Sequence, residues 1–245
     1  MSAYSTAAVT GASGGIGRAI VAELVRLGMH VHALALPDDA LDEMRGLDGI
    51  TVHAVDVRDT TSLGNALSVI DVDVLVANAG VIGDLKPAQL SNTATADALI
   101  DINLRAAVHA TLSVLPGMVT RNRGHIVFTG SIAATRPTAN SAIYSATKAA
   151  LNAFADGLRL DLHGAAVRVT VVAPGRVETN LYDEAMGGHE VAVNRLYSGA
   201  TAIQPADIAA LVGMAVTMPL HVDVTRLEVV PTGQVFGGST VADIN

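Results

Sequence analysis

The sequence of 245 residues contains no cysteine and no tryptophan, and only 3% of its residues are aromatic. The lack of cysteine excludes disulfide bonds and thiolate chemistry. A core with so few aromatic rings must consist mainly of Ala, Val, Leu and Ile, whose small side chains let helices pack closely on a sheet. The first six residues show no basic run followed by a long apolar stretch, so no signal peptide is expected.

Positive charge is also scarce in this chain. Lys and Arg number 15 against 23 Asp and Glu, which gives a formal net charge of −8. Because phosphate binding needs a basic surface, this balance argues against a nucleic-acid partner. No uncharged apolar run reaches about 18 residues, so no membrane-spanning helix and no membrane partner are expected. We therefore expect a soluble cytoplasmic protein, and the 50% hydrophobic content is enough for a sizeable core.

Short apolar segments alternate along the chain with longer amphipathic ones. The apolar segments are hydrophobic on both faces, which is typical of parallel strands covered by helices on each side. Predicted strands occupy residues 7–9, 31–36, 51–55, 74–77, 125–129, 167–173 and 226–230. Predicted helices occupy residues 16–26, 41–46, 63–69, 94–122, 141–163 and 205–218. The alternation predicts an α/β fold with a Rossmann-like, doubly wound parallel sheet of about seven strands and helices on both faces.

The chain shows no linker rich in Pro, Gly or Ser and no internal repeat, so residues 1–245 are expected to form a single domain. The least regular stretch, residues 177–204, follows the sixth predicted strand and contains the pair Gly187-Gly188. Irregular segments beside a sheet often cover a binding site. We expect this stretch to be a mobile flap over the substrate.

A glycine-rich turn, Thr10-Gly-Ala-Ser-Gly-Gly-Ile-Gly17, joins the first predicted strand to the first predicted helix. Glycine permits a tight turn and the close approach of a pyrophosphate, while the helix N-terminus offers free N–H groups and a partial positive charge. The alternative is a plain glycine-rich turn without a ligand. Its position between a strand and a helix favours the phosphate-binding interpretation.

The spacing of these glycines, G-x-x-x-G-x-G, resembles that of the short-chain dehydrogenase/reductase family, and further motifs follow in the family's order. They are Asp56-Val57, Ala77-Asn-Ala-Gly80, Asn103, Ser131, Tyr144-Ser-Ala-Thr-Lys148 and Pro174-Gly-Arg-Val-Glu-Thr179. The resemblance covers almost the whole chain, with Ala77 in place of the family's first Asn. Residues 114–118, 160–164 and 227–232 look most like bacterial dehydrogenases of serine and 3-hydroxy acids.

The resemblance implies an NAD(P)-dependent oxidoreductase that transfers a hydride between a nicotinamide dinucleotide and a small secondary alcohol or carbonyl compound. Hydroxy acids and other polar hydroxy compounds are candidate substrates, and a broader secondary alcohol, polyol or ketone stays open. The implied catalytic residues are Asn103, Ser131, Tyr144 and Lys148. The implied cofactor contacts are Gly11, Ser13, Gly15, Ile16, Gly17, Asp56, Val57, Asn78, Ala79, Gly80, Tyr144, Lys148, Pro174, Gly175, Val177 and Thr179. The family commonly forms homodimers or homotetramers, and a homo-oligomer is expected here.

Tyr144 and Lys148 are four residues apart, so they share one face of a helix. A tyrosine has a pKa of about 10, and a nearby cation lowers that pKa. Unless they are an incidental surface pair, Tyr144 is expected to take the alcohol's proton in oxidation and return it in reduction. By the resemblance, Ser131 holds the substrate oxygen, Lys148 holds the nicotinamide ribose, and Asn103 supports a water that links Lys148 to solvent. Thr179 would grip the nicotinamide carboxamide.

The end of the second predicted strand usually selects the cofactor, because an acidic residue there favours NAD and an arginine favours NADP. Those two positions are Ala35 and Leu36, so neither determinant is present. Asp38 and Asp39 would repel a 2′-phosphate if they face it, and Arg18, the basic residue that could offset them, sits one turn into the helix. We therefore expect a modest preference for NAD.

Substrate contacts are less defined by the sequence. Candidate partners for a carboxylate or sulfonate are Arg136, Arg176 and Arg195, and further candidates for the pocket wall are Tyr182, His189 and Tyr197. Solvated arginines are the alternative. No histidine pair has metal-ligand spacing with a carboxylate, so no metal is expected. A non-catalytic nucleotide-binding regulator of the same fold is the alternative function, whereas an epimerase or dehydratase is disfavoured because those relatives usually carry a larger C-terminal domain.

Overall fold

The computed structural model describes residues 3–196 and 201–234. Its strands are β1 (Thr6–Thr10), β2 (His30–Ala35), β3 (Ile50–Ala54), β4 (Val74–Ala77), β5 (Gly124–Thr129), β6 (Val167–Pro174) and β7 (Arg226–Val229). They form one parallel sheet in the order β3-β2-β1-β4-β5-β6-β7. The predicted doubly wound sheet is confirmed, and each strand begins and ends within one residue of the prediction.

The helices that connect the strands are α1 (Gly15–Arg26), α2 (Asp39–Asp42), α3 (Thr60–Ser68), α4 (Thr93–Ile100), α5 (Ala106–Thr120), α6 (Ala142–Asp161), α7 (Asp183–Met186), α8 (His189–Leu196) and α9 (Pro205–Thr217). Three predicted helices are wrong in their bounds. The helix predicted over residues 63–69 begins three residues earlier, at Thr60, and the helix predicted over residues 41–46 ends four residues earlier, at Asp42. The helix predicted over residues 94–122 is divided by a π-helical turn, Asp101–Arg105. The helix predicted over residues 41–46 begins earlier, because the Asp38 carboxylate caps it by accepting the N–H of Leu41 at 2.7 Å.

The two faces of the sheet carry separate core layers, because successive side chains of a strand point to opposite faces. Ala7 and Val9 of β1 belong to the layer that packs against α1, α2 and α9. Ala8, between them, belongs to the layer that packs against α3, α5 and α6. Helices therefore cover both faces, as the apolar strands predicted. The strand order reverses between β1 and β4, where such sheets form a ligand-binding crevice at the strands' carboxyl ends.

Residues 177–204, predicted to be irregular, contain regular structure in their described part. A 3₁₀ turn, Asn180–Tyr182, is followed by α7 and α8. Gly187 and Gly188 separate these two helices with φ values of +83° and +133°, a region that favours glycine. The glycine pair is therefore a break between helices rather than a sign of an irregular loop. The mobility of this segment stays a prediction, as does the assignment of residues 1–245 to one domain.

The long helical segment Thr93–Thr120 combines α4, the π-helical turn and α5. By length and composition alone, this segment is long and apolar enough to cross a membrane. No such segment was expected from the sequence, because no uncharged apolar run is long enough. The same test is passed by core helices of soluble proteins. Here Ala110, Val114 and Met118 pack into the core layer that includes Phe128 of β5. One face of the segment thus belongs to the core of the α/β fold, and the other face is exposed.

Candidate active site

The carboxyl ends of β1, β4, β5 and β6 border a cavity of about 410 Å³. It lies at the reversal in strand order, as expected for a sheet of this topology. The predicted site residues in its wall are Gly11, Gly15, Ile16, Gly17, Asn78, Ala79, Gly80, Ser131, Tyr144, Lys148, Pro174, Gly175, Val177 and Thr179. The predicted site residues outside its wall are Ser13, Asp56, Val57 and Asn103.

Asp56 and Val57 follow β3, which is the edge strand of the sheet and lies far along it from β4. The Asp56 carboxylate accepts a hydrogen bond at 2.6 Å from Nη2 of Arg58, and this contact lowers the pKa of Asp56. Val57 is buried in the core layer of α3. Because the cavity does not reach these residues, their contact with a cofactor stays a prediction, and the same holds for Ser13 in the turn.

The glycine turn is shaped by close backbone contacts. Gly11 has a φ of +63°, and a Cβ on it would lie 2.8 Å from the Cα of Ala79. A Cβ on Gly17 would lie 2.0 Å from the carbonyl oxygen of Gly11. Helix α1 follows Gly14 and has no side-chain cap, which leaves its first N–H groups open to the cavity side. This cradle of bare backbone and uncapped N–H groups fits the pyrophosphate of a dinucleotide.

Asn78 connects three strands at the floor of the cavity. Its Nδ2 donates to the carbonyl oxygens of Thr10 at 3.1 Å and of Gly11 at 3.2 Å. Its Oδ1 accepts a hydrogen bond from the hydroxyl of Thr129 at 3.1 Å. The side chain of Asn78 is thus used to hold the glycine turn against β4 and β5, which leaves the loop backbone after β4 to face a cofactor.

Tyr144 and Lys148 lie one turn apart on α6, and both are buried. The Lys148 Nζ lies 5.9 Å from the centroid of the Tyr144 ring and donates to the carbonyl oxygen of Thr129 at 2.8 Å. Ser131 follows β5 and lies in the same cavity wall, near enough to Tyr144 for its hydroxyl to lower the pKa of that phenol. The structure therefore brings these three side chains together in the cavity wall, where the residue spacing and the resemblance place them.

Burial dominates the charge states of this group. Burial raises the pKa of Tyr144. The neighbouring Tyr182 raises that pKa further, and the nearby Ser131 hydroxyl lowers it. Burial also lowers the pKa of Lys148 to about 8. The expectation that Lys148 lowers the pKa of Tyr144 is therefore wrong for this state, because desolvation outweighs the attraction and the ammonium group is directed to Thr129. A positive charge brought into the cavity would act in the opposite direction and favour the phenolate.

Asn103 lies in the π-helical turn and is almost fully buried. Its Oδ1 accepts the N–H of Val81 at 2.8 Å, and its Nδ2 donates to the carbonyl oxygen of Val81 at 2.9 Å. Nδ2 also lies 3.2 Å from the hydroxyl of Thr147. A Cβ on Gly80 would lie 3.2 Å from the Asn103 Oδ1 and 3.4 Å from the Lys148 Nζ. Asn103 thus fixes the loop after β4 behind the reactive group, and its support of a water stays a prediction.

The three candidate arginines differ in their surroundings. Arg136 binds both carboxylate oxygens of Glu228, at 2.9 and 3.1 Å. Arg176 donates to the carbonyl oxygen of Leu196 at 2.9 Å. Arg195 is exposed on α8. None of the three lines the cavity formed by the described residues.

Tyr182 does line the cavity, whereas His189 is exposed and contacts Asp183, with 3.1 Å between Nδ1 and Oδ2. Tyr197 lies outside the described residues. The wall residues that the sequence analysis missed are Gly14, Val81, Ile82, Gly83, Thr129, Gly130, Asn180 and Leu181. Only their position in the sequence could have identified them as wall residues. Most of them directly follow the predicted strands, and the carboxyl ends of such strands form cavity walls.

At the end of β2, Leu36 is 52% exposed, and its sequence neighbours, Ala35 and Pro37, carry no charge. Asp38 is directed to the backbone of α2 as its cap. Arg18, the nearest basic residue of α1, forms an ion pair with Glu43 at 2.9 Å. The determinants expected for either cofactor are therefore absent or already paired.

Across residues 3–196 and 201–234, no group of three or more His, Asp or Glu side chains has the arrangement of a metal site. The histidines form contacts of another kind. His32 and His53 lie on neighbouring strands with 2.9 Å between Nδ1 and Nε2. His125 is buried, and its Nε2 lies 2.7 Å from the hydroxyl of Thr170.

The chain was compared with known proteins. A family model described as short chain dehydrogenase matches residues 5–190. The short-chain type dehydrogenase/reductase y4eK of Sinorhizobium fredii is 45% identical over 245 residues, which are 100% of this chain and 98% of that protein. The NADP-dependent 3-hydroxy acid dehydrogenase YdfG of Escherichia coli is 34% identical over 241 residues, 95% of this chain and 97% of the relative.

Solved structures agree with these sequence relatives. The closed form of a serine dehydrogenase complexed with NADP+ superposes with a TM-score of 0.91 at 34% identity, covering 96% of this chain and 98% of that one. The match thus includes the sheet, the glycine turn and the segment that carries Ser131, Tyr144 and Lys148. The chain belongs to the short-chain dehydrogenase/reductase family and is an NAD(P)-dependent oxidoreductase acting on CH–OH groups.

Proposed function

We propose that this enzyme interconverts a small hydroxy acid, or a similarly polar hydroxy compound, with its carbonyl form in the cavity at the carboxyl end of the sheet. The observation that carries the proposal is the buried group of Ser131, Tyr144 and Lys148 beside a turn that fits a pyrophosphate. The substrate class is supported by relatives whose names are 3-hydroxy acid dehydrogenase and serine dehydrogenase.

The nicotinamide dinucleotide, when bound, supplies the carbon that accepts or donates the hydride. We infer that the turn Gly11–Gly17 and the head of α1 hold its pyrophosphate. Asn78–Gly80 and Lys148 would contact its ribose side, and Pro174–Thr179 would hold its nicotinamide end. All four segments face one cavity, which is the geometry that such a long ligand needs.

The residues of this chain divide the proton chemistry among them. Ser131 donates a hydrogen bond to the substrate oxygen and so fixes its position. Tyr144 takes the hydroxyl proton during oxidation and returns it during reduction. Lys148, buried one turn away, would hold the nicotinamide ribose, and the positive charge of an oxidised nicotinamide ring would favour the phenolate against the effect of burial. Asn103 holds the backbone at Val81, and through it the part of the cavity wall that packs against the Tyr144 ring.

The screen that tests the substrate class uses hydroxy acids, their uncharged esters, polyols and secondary alcohols with both oxidised cofactors. Formation of reduced cofactor is followed by its absorbance. Turnover of hydroxy acids with a higher kcat/KM than their esters is expected. Turnover of uncharged alcohols alone would contradict the hydroxy-acid assignment, and absence of turnover with every substrate would favour a regulator that only binds nucleotide.

The preference between NAD and NADP rests on local chemistry alone. The relatives named for NADP do not support the expected preference for NAD. Two local features favour NAD, because neither offers a free positive charge to a 2′-phosphate. They are the exposed Leu36 and the ion pair between Arg18 and Glu43. We retain NAD as a hypothesis, and fluorescence titration with NADH and NADPH tests it; tighter binding of NADPH would overturn it.

The Glu43→Gln variant makes this test sharper. Removing the carboxylate releases Arg18 for a 2′-phosphate, so NADPH affinity is expected to rise about threefold to tenfold while NADH affinity is unchanged. Asp42→Asn is the matched control, because Asp42 pairs with Arg45 instead. Equal titration curves for wild type and Glu43→Gln with NADPH would show that Arg18 does not reach the cofactor.

The expected homo-oligomer and the expected cytoplasmic location stay proposals. The first is supported by apolar side chains on the exposed faces of α4, α5 and α6, among them Ile100, Leu112 and Leu160. Fractionation of cells with an antibody to the chain tests the second, and recovery with membranes would contradict it.

A further inference from the structure

We take the part of the cavity lined by Ser131, Tyr144 and residues 180–182 as its substrate half, and this part contains few charges. Of the side chains described in its wall, Lys148 is the only cation, and it is engaged with the carbonyl oxygen of Thr129. Val81, Ile82 and Leu181 make the wall apolar on the side away from the glycine turn. A carboxylate that enters this half must therefore find neutral hydrogen-bond donors.

Tyr182 supplies a donor that the roles assigned above do not use. It ends the 3₁₀ turn that starts after Thr179, whose hydroxyl caps the turn by accepting the N–H of Leu181 at 3.4 Å. Its ring packs on the small apolar cluster of Ile82, Leu99 and Tyr144. The turn thus holds a second phenol in the same wall as Tyr144.

The electrostatics agree with this placement. Burial raises the pKa of Tyr182, so the hydroxyl keeps its proton and remains a donor at neutral pH. Arg176 opposes this shift through its positive charge, so a cation lies within electrostatic range of the phenol. Tyr182 also raises the pKa of Tyr144, as expected for two phenols that share one site.

We propose that Tyr182 binds the substrate's carboxylate: its hydroxyl donates a hydrogen bond to that group while Ser131 and Tyr144 hold the carbinol oxygen. Arg176, whose charge acts on this phenol, adds favourable charge without lining the cavity. This inference rests on the proposed hydroxy-acid function and adds the residue that recognises the acid. No bond is made or broken at Tyr182, so the residue sets specificity rather than rate.

The experiment compares wild type with Tyr182→Phe, which keeps the ring and removes the hydroxyl. Hydrogen bonds to charged groups are worth enough that KM for a hydroxy acid should rise about tenfold to a hundredfold, with kcat within about threefold of wild type. KM for the uncharged ester of the same acid should stay within about twofold. Tyr4→Phe is the matched control, because Tyr4 is a buried tyrosine at the opposite end of the sheet, with its hydroxyl bonded to the carbonyl oxygen of Gly124.

An unreactive carboxylate separates this inference from the substrate class. Propionate is tested as a competitive inhibitor of whichever alcohol the wild-type enzyme oxidises, with propionamide as the uncharged comparison. A tenfold or larger increase of the propionate inhibition constant in Tyr182→Phe supports the inference even if no hydroxy acid is turned over. Equal inhibition constants in the two proteins, or equal changes for propionate and propionamide, would overturn it.

Discussion

Desolvation acts on single residues at both ends of the sheet. At the carboxyl end, burial lowers the pKa of Lys148 to about 8 and raises the pKa of Tyr144. At the amino end, burial and the nearby charge of Arg168 lower the pKa of His125 to about 3. The first two groups sit at the cavity, where a bound positive charge can reverse the shift. His125 has no such ligand, so its shift appears as a dependence of stability on pH.

The sign of that dependence follows from the two pKa values of His125. The unfolded chain binds a proton near its ordinary pKa of 6.5, whereas the folded chain binds one only near pH 3. The contribution of a neutral, buried His125 is therefore fully present above pH 6.5 and is lost progressively as the pH falls towards about 3. His32, with a pKa lowered to about 4, acts in the same direction.

Urea denaturation at several pH values measures this loss. The free energy of unfolding of the wild type should fall by on the order of a few kcal/mol between about pH 7 and about pH 4. His125→Gln, which cannot take up the proton, should show a clearly shallower fall, and His32→Gln a smaller change. Parallel curves for wild type and His125→Gln would contradict the assignment.

The glycine turn and α1 act as one structural element. Helix α1 packs so closely on the turn that a Cβ on Gly17 would meet the carbonyl oxygen of Gly11 at 2.0 Å. Backbone atoms cannot move away as a flexible side chain can, so the cost falls on the turn that is proposed to hold the pyrophosphate. A glycine of α6, Gly157, has open space where its Cβ would lie.

Two Gly→Ala substitutions compare these elements. Gly17→Ala should lower the unfolding free energy by several kcal/mol, as overpacking does, and should abolish dinucleotide binding. Gly157→Ala should raise it by about 0.5–1 kcal/mol, because Ala is the better helix former. Thermal unfolding and cofactor titration of both variants give the result. A Gly17→Ala protein that binds dinucleotide like the wild type would refute the turn's assigned role.

Elements with a strong hydrophobic pattern could be predicted from the sequence, whereas elements determined by side-chain contacts could not. Strands buried on both faces have an apolar signal that ends where the strand ends, so their bounds were correct within one residue. The π-helical turn has no such signal, because it depends on the tertiary contact of Asn103 with Val81. Likewise the cap at Asp38 and the break at Gly187 act through hydrogen bonds and a backbone dihedral angle that apolar periodicity does not report.

The residues of the candidate site also fall into those that the sequence predicts and those that it does not. Ser131, Tyr144 and Lys148 were predictable because motif spacing and strand order determine their positions. Asp56 was placed by the resemblance alone, and its partner in the structure is Arg58. The direction of the Tyr144 pKa shift was not predictable, because a linear sequence shows the neighbour four residues away but not the desolvation of both groups.

At the scale of the whole molecule, a net charge of −8 coexists with exposed apolar residues on the α4, α5 and α6 side. Val119 and Leu112 of α5 are exposed there, as is Leu160 of α6. Exposed apolar patches of this kind mark surfaces that associate. A second copy of the chain, with the same apolar helices, is the partner we propose.

Light scattering of two Leu→Glu variants tests this assembly. Leu112 on α5 and Leu47 after α2 are each 54% exposed, so they differ in place and not in exposure. Leu112→Glu is expected to lower the mass to that of one chain, because a buried charge opposes association. Leu47→Glu should leave the mass of the wild type. A wild-type protein that already has the mass of one chain would contradict the oligomer.

The most direct test of the central claim is single-turnover and steady-state kinetics of Tyr144→Phe. The ring keeps its packing with Ile82 and Leu99, so cofactor affinity and thermal stability should stay close to those of the wild type. Loss of the proton-carrying hydroxyl should lower kcat by about a hundredfold to ten-thousandfold. A Tyr144→Phe enzyme that transfers hydride at the wild-type rate would show that another group moves the proton.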